Sequence, residues 1–466
     1  MPPALHLRPC LHRLPTDFPD PNSNGRRCLQ RARVPQRRSY ANASSPLLSS
    51  SSLLQPSSLR SKCPFMYAVL GAGFAGLSVV WHLLKHGPKE SPMRIDIYDE
   101  VGIGGGASGV SGGLLHPYSP KAKLLWRGSE CWKECLELST IAERTMDAGA
   151  SNGMIQDPSC VFDETMIWRR GILRPATSEK NMEILKENAQ NCLKSCNLEV
   201  LDRNAAQCLI PDLCVPFNFA VYMPLAMNIH PKRYLEALFL ACHHLADEES
   251  ISGSEEREIN LFKEPVSSLR GLSEAYDAVI ICLGAKADLL PELSGKLPLR
   301  TCRGVVAELQ LPTDMGGVYG DQSPSILSDS WLAFQGPRSV FMGSTWEWRS
   351  KNYASNVSEE EASRAMEELL PKASAVYPAI KKWTFVGARA GLRAMPPLTP
   401  QGSLPLLGCV NDAIGTRGRC MYWLVGGLGS RGLLYHGLVG KLIAQAAISS
   451  DEKVLPLEFT SWKKTL

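Results

Sequence analysis

The sequence predicts an α/β protein whose folded part begins with a Rossmann-type βαβ unit. Met66–Leu70 is a short apolar run, typical of a buried strand, and it leads directly into the glycine-rich turn 71–76, GAGFAG. Leu77–Lys85 has the apolar spacing of a helix that Gly87 ends, and Met93–Tyr98 is a second strand. A GxGxxG motif in this strand–turn–helix–strand order is typical of dinucleotide binding.

The glycine-rich turn allows a phosphate group to approach the backbone. Gly71 permits the tight turn, Gly73 lets the backbone come close to a pyrophosphate, and Gly76 lets the helix pack on the strand. Phe74 and Ala75 complete the predicted phosphate-binding turn. The helix N-terminus adds free N–H groups and a partial positive charge, which favour an anion.

An acidic residue follows the second strand at the spacing expected for a ribose-binding carboxylate. Asp99 lies 23 residues after Gly76, and Glu100 is the alternative. A carboxylate there would repel the phosphate of NADP, so the motif disfavours that cofactor. The motif alone leaves NAD and FAD open.

Two further glycine-rich segments favour the longer ligand. Residues 102–113, GIGGGASGVSGG, follow the second strand, and residues 426–432, GGLGSRG, precede an apolar helical run at Leu433–Ala447. Small residues let the backbone pass close to a bulky ligand, and the second segment adds another helix N-terminus. Three glycine-rich segments at which the backbone can come close to a ligand suit a molecule as long as FAD.

With these segments in place, the chain resembles the FAD-dependent oxidase superfamily that includes D-amino-acid oxidase, glycine oxidase and sarcosine oxidase, over about residues 66–448. The first motif, GASGVSGGLLHPYSP, is especially similar to the FAD-dependent oxidase domain of the bifunctional tRNA methylaminomethyl-thiouridine biosynthesis protein. The other motifs are YDAVIICLG at 276–284, GSTWE at 343–347, AGLR at 390–393 with TPQGSLPLLG at 399–408, and GGLGSRGL at 426–433.

The resemblance implies a Rossmann-type FAD-binding domain with an inserted α+β substrate domain, as in D-amino-acid oxidase. We assign residues 63–150, 225–298 and 386–466 to the FAD-binding domain, and 151–224 and 299–385 to the substrate domain. Beyond the first turn and the acid, the resemblance implies that the cofactor is lined by Ala107, Ser108, Gly113, Leu114, Val266, Gly284, Gly427, Gly429, Ser430, Gly432 and Leu433.

The resemblance also implies the reaction. A small amine or amino acid gives a hydride from its α-carbon to the flavin, and the resulting imine is hydrolysed; oxygen is the expected electron acceptor. Arg393 is the candidate catalytic residue, because its planar guanidinium can hold a substrate carboxylate in two hydrogen bonds. Arg389 is the alternative anchor if Arg393 only forms a structural salt bridge.

The chain departs from the family pattern near the expected substrate. Trp331 stands where some members have a carboxylate-binding tyrosine, and Gln401 stands where the family has aspartate. Ser430 replaces the arginine that glycine oxidase has in the closing turn, and Arg431 follows it. These departures leave the exact substrate open.

Other side chains have two interpretations. His116 and Tyr118 follow the flavin-lining glycines and could face the ligand or pack in the core, and Trp346 and Trp348 could cover the pocket. The patterns also predict a helix at Met227–Leu240 and a surface helix at Glu359–Leu370. Strands are predicted at 165–174, 303–311, 331–335 and 340–345.

The N-terminal segment differs in composition from the rest. Residues 1–62 hold nine arginines and one lysine but only two acids, Asp17 and Asp20, with a serine run at 49–52. This composition predicts a disordered transit peptide for the chloroplast, with the mitochondrion as the alternative. The remaining residues carry 40 basic and 44 acidic side chains, so the composition of the folded part argues against nucleic-acid binding.

Composition excludes several other classes. No apolar run approaches about 18 residues, so no membrane-spanning helix is expected. The fifteen cysteines include two CxxxC pairs without further ligands at a fitting spacing, so we expect reduced thiols and no metal site. A flavin hydroxylase is disfavoured because its later motifs are missing. A catalytically idle flavoprotein that serves as an interaction module, and an oxidase of a tRNA-borne amine, remain alternatives.

Overall fold

The computed structural model describes residues 64–151, 165–251, 256–311, 322–336 and 338–465. The predicted transit peptide, 1–62, lies outside the described residues. The predicted α/β fold class is confirmed, since one sheet is mainly parallel and covered by helices and a second sheet is mixed. Among the described residues, no helix combines the length and hydropathy needed to cross a membrane. Their eleven cysteines are free thiols.

The described residues form twenty strands and ten α-helices. In chain order, the strands are β1 (Phe65–Leu70), β2 (Met93–Tyr98), β3 (Leu114–Leu115), β4 (Ile167–Trp168), β5 (Ile172–Pro175), β6 (Glu199–Leu201), β7 (Ala220–Met223), β8 (Met227–Ile229), β9 (Arg257–Phe262), β10 (Ala278–Ile281), β11 (Arg300–Gln310), β12 (Ser325–Ile326), β13 (Trp331–Phe334), β14 (Ser339–Gly343), β15 (Glu347–Trp348), β16 (Thr384–Met395), β17 (Leu398–Thr399), β18 (Gly402–Ser403), β19 (Leu406–Cys409) and β20 (Met421–Gly426). The α-helices are α1 (Phe74–His86), α2 (Ala107–Val110), α3 (Gly128–Ser151), α4 (Glu179–Ala189), α5 (Arg203–Leu209), α6 (Pro231–Ile251), α7 (Glu359–Val376), α8 (Asn411–Ile414), α9 (Gly432–Ser449) and α10 (Leu457–Thr460).

The first sheet has the order β19-β20-β10-β1-β2-β9, and all its pairs are parallel except β19 with β20. Alternate side chains of β1 enter different cores: Tyr67 and Val69 pack with α1 and α9, while Ala68 and Leu70 pack on the opposite face. A strand buried on both faces reads as a continuous apolar run, which is why Met66–Leu70 could be recognised from the sequence.

The second sheet has the order β15-β11-β14-β13-β12-β5-β7-β6, and β16 pairs with β11 along its whole length. Leu332 and Met342 face a core that includes residues of α7. Val306, Ala333 and Phe341 lie on the other face, where they meet the predicted flavin-lining segment. We call this second surface the inner face. The proposed domain boundary at residue 386 falls inside β16.

Two element predictions are corrected. Met227–Leu240 is not one helix, because Met227–Ile229 pairs with β3 and β4 as strand β8, and the helix begins at Pro231. The predicted strand at 165–174 is two strands, β4 and β5, separated at Gly171, whose φ is +76°. In both cases pairing with distant strands outweighs the local pattern.

Helix α7 covers the outer side of the second sheet. It begins as predicted, with the Ser358 side chain accepting a hydrogen bond from the Glu361 N–H, and it continues past the predicted end, through Pro371, to Val376. Its acidic face is exposed, as predicted, but Leu369 and Ala373 are buried against the sheet. The bidentate ion pair between Arg303 and Glu361, at 2.7 and 3.0 Å, fastens α7 to β11.

Candidate functional site

The two glycine-rich turns predicted to bind one ligand lie next to each other. The first follows β1 and the second follows β20, and because these strands run parallel, both turns leave the same edge of the sheet. A Cβ placed on Gly432 would lie 3.5 Å from the Phe74 ring, and that ring lies 5.3 Å from the His436 ring. The N-termini of α1 and α9 therefore meet over the edge where ligands bind in such sheets.

The first turn has no room for larger residues. Gly71 has a φ of +107°, and a Cβ there would lie 2.6 Å from the Cys282 carbonyl oxygen. A Cβ on Gly76 would lie 1.8 Å from the Gly71 oxygen, so this glycine sets the packing of α1 on β1. A Cβ on Gly73 would meet only the Ser108 side chain, with its hydroxyl at 2.8 Å. Gly76 is therefore needed for folding, because a Cβ there would collide with backbone. A Cβ on Gly73 would meet only a side chain, which can move.

The predicted flavin-lining segment is clamped between α1 and the inner face. The Ser108 Oγ accepts a hydrogen bond from the Phe74 N–H at 3.1 Å, which holds α2 against the start of α1. A Cβ on Gly391 of β16 would lie 2.9 Å from the Ala107 Cα. Gly113 has a φ of +73°, and Leu114 packs among the inner-face residues.

Asp99 has a structural role that its sequence position did not reveal. One carboxylate oxygen accepts from the Ala72 N–H at 2.9 Å, and the other accepts from the N–H groups of Val101 and Gly102. The carboxylate thus ties the first turn to the second glycine-rich segment. Each oxygen has two lone pairs, so the oxygen bonded to Ala72 keeps acceptor capacity for a ribose hydroxyl. Glu100 instead forms an ion pair with Lys286.

The remaining predicted cofactor residues surround this edge. Val266 is half-buried beside the core that holds Ala68 and Leu70, and Gly284, with a φ of +56°, opens the turn after β10. In the closing turn, Gly427 and Gly429 also have positive φ, and the Gly429 N–H donates to the Ala394 carbonyl at 3.0 Å. Ser430 is exposed, and Leu433 is buried at the start of α9.

Arg393 lies largely buried on β16, beside the register pair Cys302 of β11. Its guanidinium donates to the carbonyl oxygens of Cys302 and Thr345 at 3.3 and 2.8 Å and to the Ser344 hydroxyl at 3.2 Å. Its Cζ lies 4.1 Å from the centroid of the Trp346 ring. Burial lowers the pKa of the guanidinium. No carboxylate of the described residues forms an ion pair with it, so the alternative interpretation, a structural salt bridge, finds no partner in this part of the chain.

The alternative anchor, Arg389, lies on the same side of β16, four residues away. Its Cζ is 4.9 Å from the Phe341 ring centroid, an inner-face residue. Its positive charge also contributes to lowering the pKa of His230 to about 4, although burial is the larger cause. Arg389 therefore faces the same surface as Arg393, displaced along the strand.

The structure shows which of the other candidate side chains are core residues and which are exposed. Tyr118 is a core residue, since its buried hydroxyl bonds the Cys196 carbonyl and accepts from the Leu193 N–H. His116 is buried, and burial lowers its pKa to about 3, so its imidazole is neutral. Trp346 and Trp348 are both about half exposed, at 46% each, and stack on each other.

Trp331 has a position that its sequence did not indicate. Its ring would lie 2.4 Å from a Cβ on either Gly112 or Gly343, so both glycines are small because the indole covers them. The ring therefore bridges the flavin-lining segment and the inner face. The sequence offered only an indirect signal for this contact. Trp331 stands where some members of the family have a tyrosine, and the two glycines that it covers lie elsewhere in the sequence.

The residues at this edge fit FAD. Close-packed glycines leave backbone exposed to a ligand at two helix N-termini, where phosphate and an electron-rich ring are favoured. The Ser111 hydroxyl, within the lining segment, is buried and lacks a hydrogen-bond partner among the described residues. The same residues include no group of histidine, cysteine or carboxylate side chains that could hold a metal ion.

Comparisons with known proteins agree with this fold and with FAD as the cofactor. The family model described as FAD dependent oxidoreductase matches residues 66–446. Glycine oxidase from Geobacillus kaustophilus is similar in structure, with a TM-score of 0.61 and 19% identity over 85% of this chain and 98% of that one. Iminodiacetate oxidase from Chelativorans sp. BNC1 has a TM-score of 0.60 and 17% identity over 84% of this chain and 98% of that one. L-proline dehydrogenase from P. horikoshii has a TM-score of 0.61 and 14% identity, with 87% and 98% covered.

One curated relative matches over a short stretch. It is the "Putative thiamine biosynthesis oxidoreductase ThiO" of Rhizobium etli, 45% identical over 51 residues, which are 11% of this chain and 14% of that protein. The family model, in contrast, spans most of the chain and both ends of the cofactor edge. The chain is therefore an FAD-dependent enzyme that belongs to the FAD dependent oxidoreductase family.

Proposed function

We propose that the protein oxidises the carbon–nitrogen bond of a small amine or amino acid that carries a carboxylate. The observation that carries this proposal is Arg393, a largely buried guanidinium on the inner face whose described partners are neutral oxygens and a sulfur. A buried cation without an opposite charge is unfavourable, and a substrate carboxylate would supply that charge.

Contacts at all three nitrogens orient the Arg393 side chain before any substrate arrives. The backbone carbonyls of Cys302 and Thr345 fix two of its nitrogens, the Ser344 hydroxyl fixes the third, and the Trp346 ring supports its plane. With the Cys302 Sγ as a further partner of Nη2, one N–H of Nη1 is left for a carboxylate, instead of the two expected from the sequence, and the fixed plane of the guanidinium places the α-carbon. Bound FAD would supply the hydride-accepting ring, and we propose oxygen as the final electron acceptor.

The flavin-lining segment and Trp331 shape the space around the reacting atoms. Trp331 covers Gly112 and Gly343, and Leu114 adds apolar surface beside it. An apolar, water-excluding surface strengthens the attraction between Arg393 and a carboxylate. His116 remains neutral at physiological pH, so it adds no charge to this surface.

The experiment is anaerobic flavin reduction by a panel of amino acids and amines. Arg393→Met removes the charge but keeps the length, and Arg364→Met, an exposed residue of α7, is the matched control. Loss of a charge-assisted bond in a desolvated site costs on the order of 3 kcal/mol, or about a hundredfold in the second-order reduction rate. Flavin content should stay unchanged in both variants.

Two results would contradict the proposal. If Arg393→Met reduces its flavin as efficiently as the parent protein, Arg393 is structural, and an amine without a carboxylate or a tRNA-borne amine becomes the better candidate. If no tested amine reduces the flavin of the parent protein, the catalytically idle flavoprotein is favoured.

A further inference from the structure

Arg393 and Trp331 reach the same part of the inner face from two different strands. The Arg393 side chain crosses β11, where a Cβ on Gly304 would collide with its Nη2. Its Nη1 then donates to the Ser344 hydroxyl at 3.2 Å, directly after β14. Trp331 lies on β13, on the other side of β14, and its ring covers Gly343, the last residue of β14. The guanidinium and the indole therefore contact two consecutive residues of the chain.

The Trp331 indole is held from two sides. It is the register partner of Gly343 in the sheet, and a Cβ on Gly343 would collide with the benzene part of the ring. A Cβ on Gly112, in the flavin-lining segment, would collide with the same part of the ring. The ring is half-buried, so some of its surface remains accessible to a ligand. Because both glycines lie against it, the ring cannot swing away from this position without a change in the backbone around it.

The surface around the indole is apolar. Val306, Ala333 and Phe341 form one cluster on the inner face, and Leu114 of the flavin-lining segment packs on this cluster together with Trp331. An apolar surface of this kind accommodates carbon atoms, whereas a charged or polar group placed there would lose its hydration. The surroundings of Trp331 therefore favour an uncharged substituent on a ligand that Arg393 holds.

A carboxylate bound by Arg393 would bring the rest of the ligand close to this ring. The N–H of Nη1 that remains available belongs to the nitrogen that bonds Ser344, and the indole covers the preceding residue, Gly343. In an amino acid the α-carbon is only about 1.5 Å from the carboxylate carbon. A substituent on that carbon therefore begins beside Trp331, and a long one would collide with the fixed ring.

We propose that Trp331 is a specificity-determining residue, whose ring limits the substituent on the α-carbon of the substrate to about the size of a methyl group. The preferred substrates are then small neutral amino acids, such as glycine and alanine. This inference rests on the proposed amine oxidation for the identity of the ligand as a substrate, but the size limit can be tested by ligand binding without turnover.

The binding test uses the FAD-loaded protein and two carboxylates, propionate and 3-phenylpropionate, which carry a methyl and a benzyl substituent. Binding is followed by the flavin spectrum and by thermal shift. The parent protein should bind propionate at least about tenfold more tightly, although 3-phenylpropionate has more apolar surface. Trp331→Ala should bind 3-phenylpropionate at least about tenfold more tightly than the parent protein, with little change for propionate, because the clash is removed.

Two further variants serve as controls of the binding test. Arg393→Met should bind neither carboxylate, because it lacks the charge that holds both of them. Phe217→Ala removes an exposed aromatic ring that precedes β7 and should bind both probes as the parent protein does. Equal gains of 3-phenylpropionate affinity in Phe217→Ala and Trp331→Ala would overturn the assignment to Trp331.

A smaller substitution covers the case in which Trp331→Ala does not fold, since it removes a large packed ring. Trp331→Phe keeps an aromatic ring between Gly112 and Gly343, and its affinity for 3-phenylpropionate should lie between those of the parent protein and Trp331→Ala. If only Trp331→Phe folds, a gain of affinity supports the size limit and an unchanged affinity overturns it. Loss of flavin from both variants would assign the indole to the cofactor and also overturn it.

Kinetics separate this inference from the proposed reaction. The parent protein should oxidise racemic alanine with a kcat/KM about a hundredfold higher than racemic phenylalanine, and Trp331→Ala should reduce this ratio at least about tenfold. A size limit that depends on Trp331, in a protein that oxidises no amine, supports the role of Trp331 and rejects the reaction. Oxidation with the same alanine-to-phenylalanine ratio in the parent protein and the Trp331 variants overturns the size limit alone.

Discussion

The Arg393 guanidinium rests against the Trp346 ring, with Cζ 4.1 Å from the ring centroid. Because that ring is nearly half exposed, it separates the guanidinium from solvent on one side. The contact joins β16 to the residues that follow β14. A cation over an indole face contributes about 0.5–2 kcal/mol, depending on how dry the site is.

Replacing Trp346 should therefore weaken substrate capture without removing the cofactor. Trp346→Ala admits water to Arg393, and we expect kcat/KM for a carboxylate substrate to fall about tenfold, mainly through KM. Trp346→Phe keeps an aromatic face and should recover most of the loss. Equal losses in the two variants, or loss of bound flavin, would contradict a role through Arg393.

The two glycines at 73 and 76 should respond differently to substitution. Gly73→Val places a branched side chain where the pyrophosphate is expected, so the purified protein should fold but lose its flavin absorption. Gly76→Ala puts a Cβ 1.8 Å from the Gly71 oxygen and should lower the yield of folded protein. Gly418→Ala, whose Cβ would have its nearest neighbour at 3.8 Å, is the control. A Gly73→Val protein with full flavin content would refute the site.

Three buried histidines and the half-buried His230 should make the fold sensitive to mild acid. Burial lowers the pKa of His82 and His116 to about 3 and of His230 and His436 to about 4. In the unfolded chain a histidine has a pKa of about 6.5, so below that pH the unfolded state binds protons that the folded state excludes. Stability should be constant above about pH 6.5 and decrease as the pH falls towards 4.

His82 offers a specific test of this pH dependence. Neither of its ring nitrogens has a hydrogen-bond partner among the described residues, so His82→Phe removes a titrating group without breaking a bond. Melting temperatures measured at pH 7.5, 6.5 and 5.5 should decrease less steeply for the variant than for the parent protein. Identical slopes would contradict a lowered pKa of His82 in the folded state.

The buried ion pair between α7 and β11 should dominate the stability of the second sheet. Arg303→Met leaves Glu361 without its bidentate partner and removes bonds to the carbonyl oxygens of Asn352 and Asn356. Breaking such a pair costs about 3–5 kcal/mol of unfolding free energy. Lys372→Met, which breaks an exposed i,i+4 pair with Glu368, should cost less than about 0.5 kcal/mol. Similar losses of unfolding free energy in the two variants, measured by denaturant unfolding, would contradict the prediction that the Arg303 pair is the more stabilising one.

The N-terminal segment remains a prediction for targeting. Residues 1–62, joined to a fluorescent reporter, should direct it to the chloroplast, or otherwise to the mitochondrion, because the segment is rich in arginine and serine and poor in acids. A matched segment with its arginines changed to glutamine should lose the targeting. A diffuse cytosolic signal from the natural segment would reject the prediction.

The elements that could be predicted from the sequence are those whose pattern is local. The first turn, α1, β2 and α9 each carry their own glycines or apolar spacing, and the structure places them as expected. Strand β8 could not be separated from α6, because only pairing with Leu114 and Trp168, residues far away in the sequence, makes 227–229 extended.

The same limit applies to the candidate site. Arg393 could be found from its AGLR motif, but Ser344 and Cys302, which orient it, come from other strands and carry no motif of their own. Cys302 and Arg393 are separated by 91 residues in the chain. Tertiary folding brings such residues together, and the periodicity of a single sequence does not indicate contacts of this kind.

The meeting of Phe74 with Gly432 has a consequence for biosynthesis. The first sheet needs β20, and the cofactor edge needs α9, so the opening and closing parts of the folded chain must come together before the site exists. During translation, the N-terminal βαβ unit leaves the ribosome long before Gly432 does. A ribosome-stalled chain ending before residue 421 would lack β20 and expose an unpaired β10 edge. The complete FAD site therefore forms only after the last part of the folded chain has been synthesised.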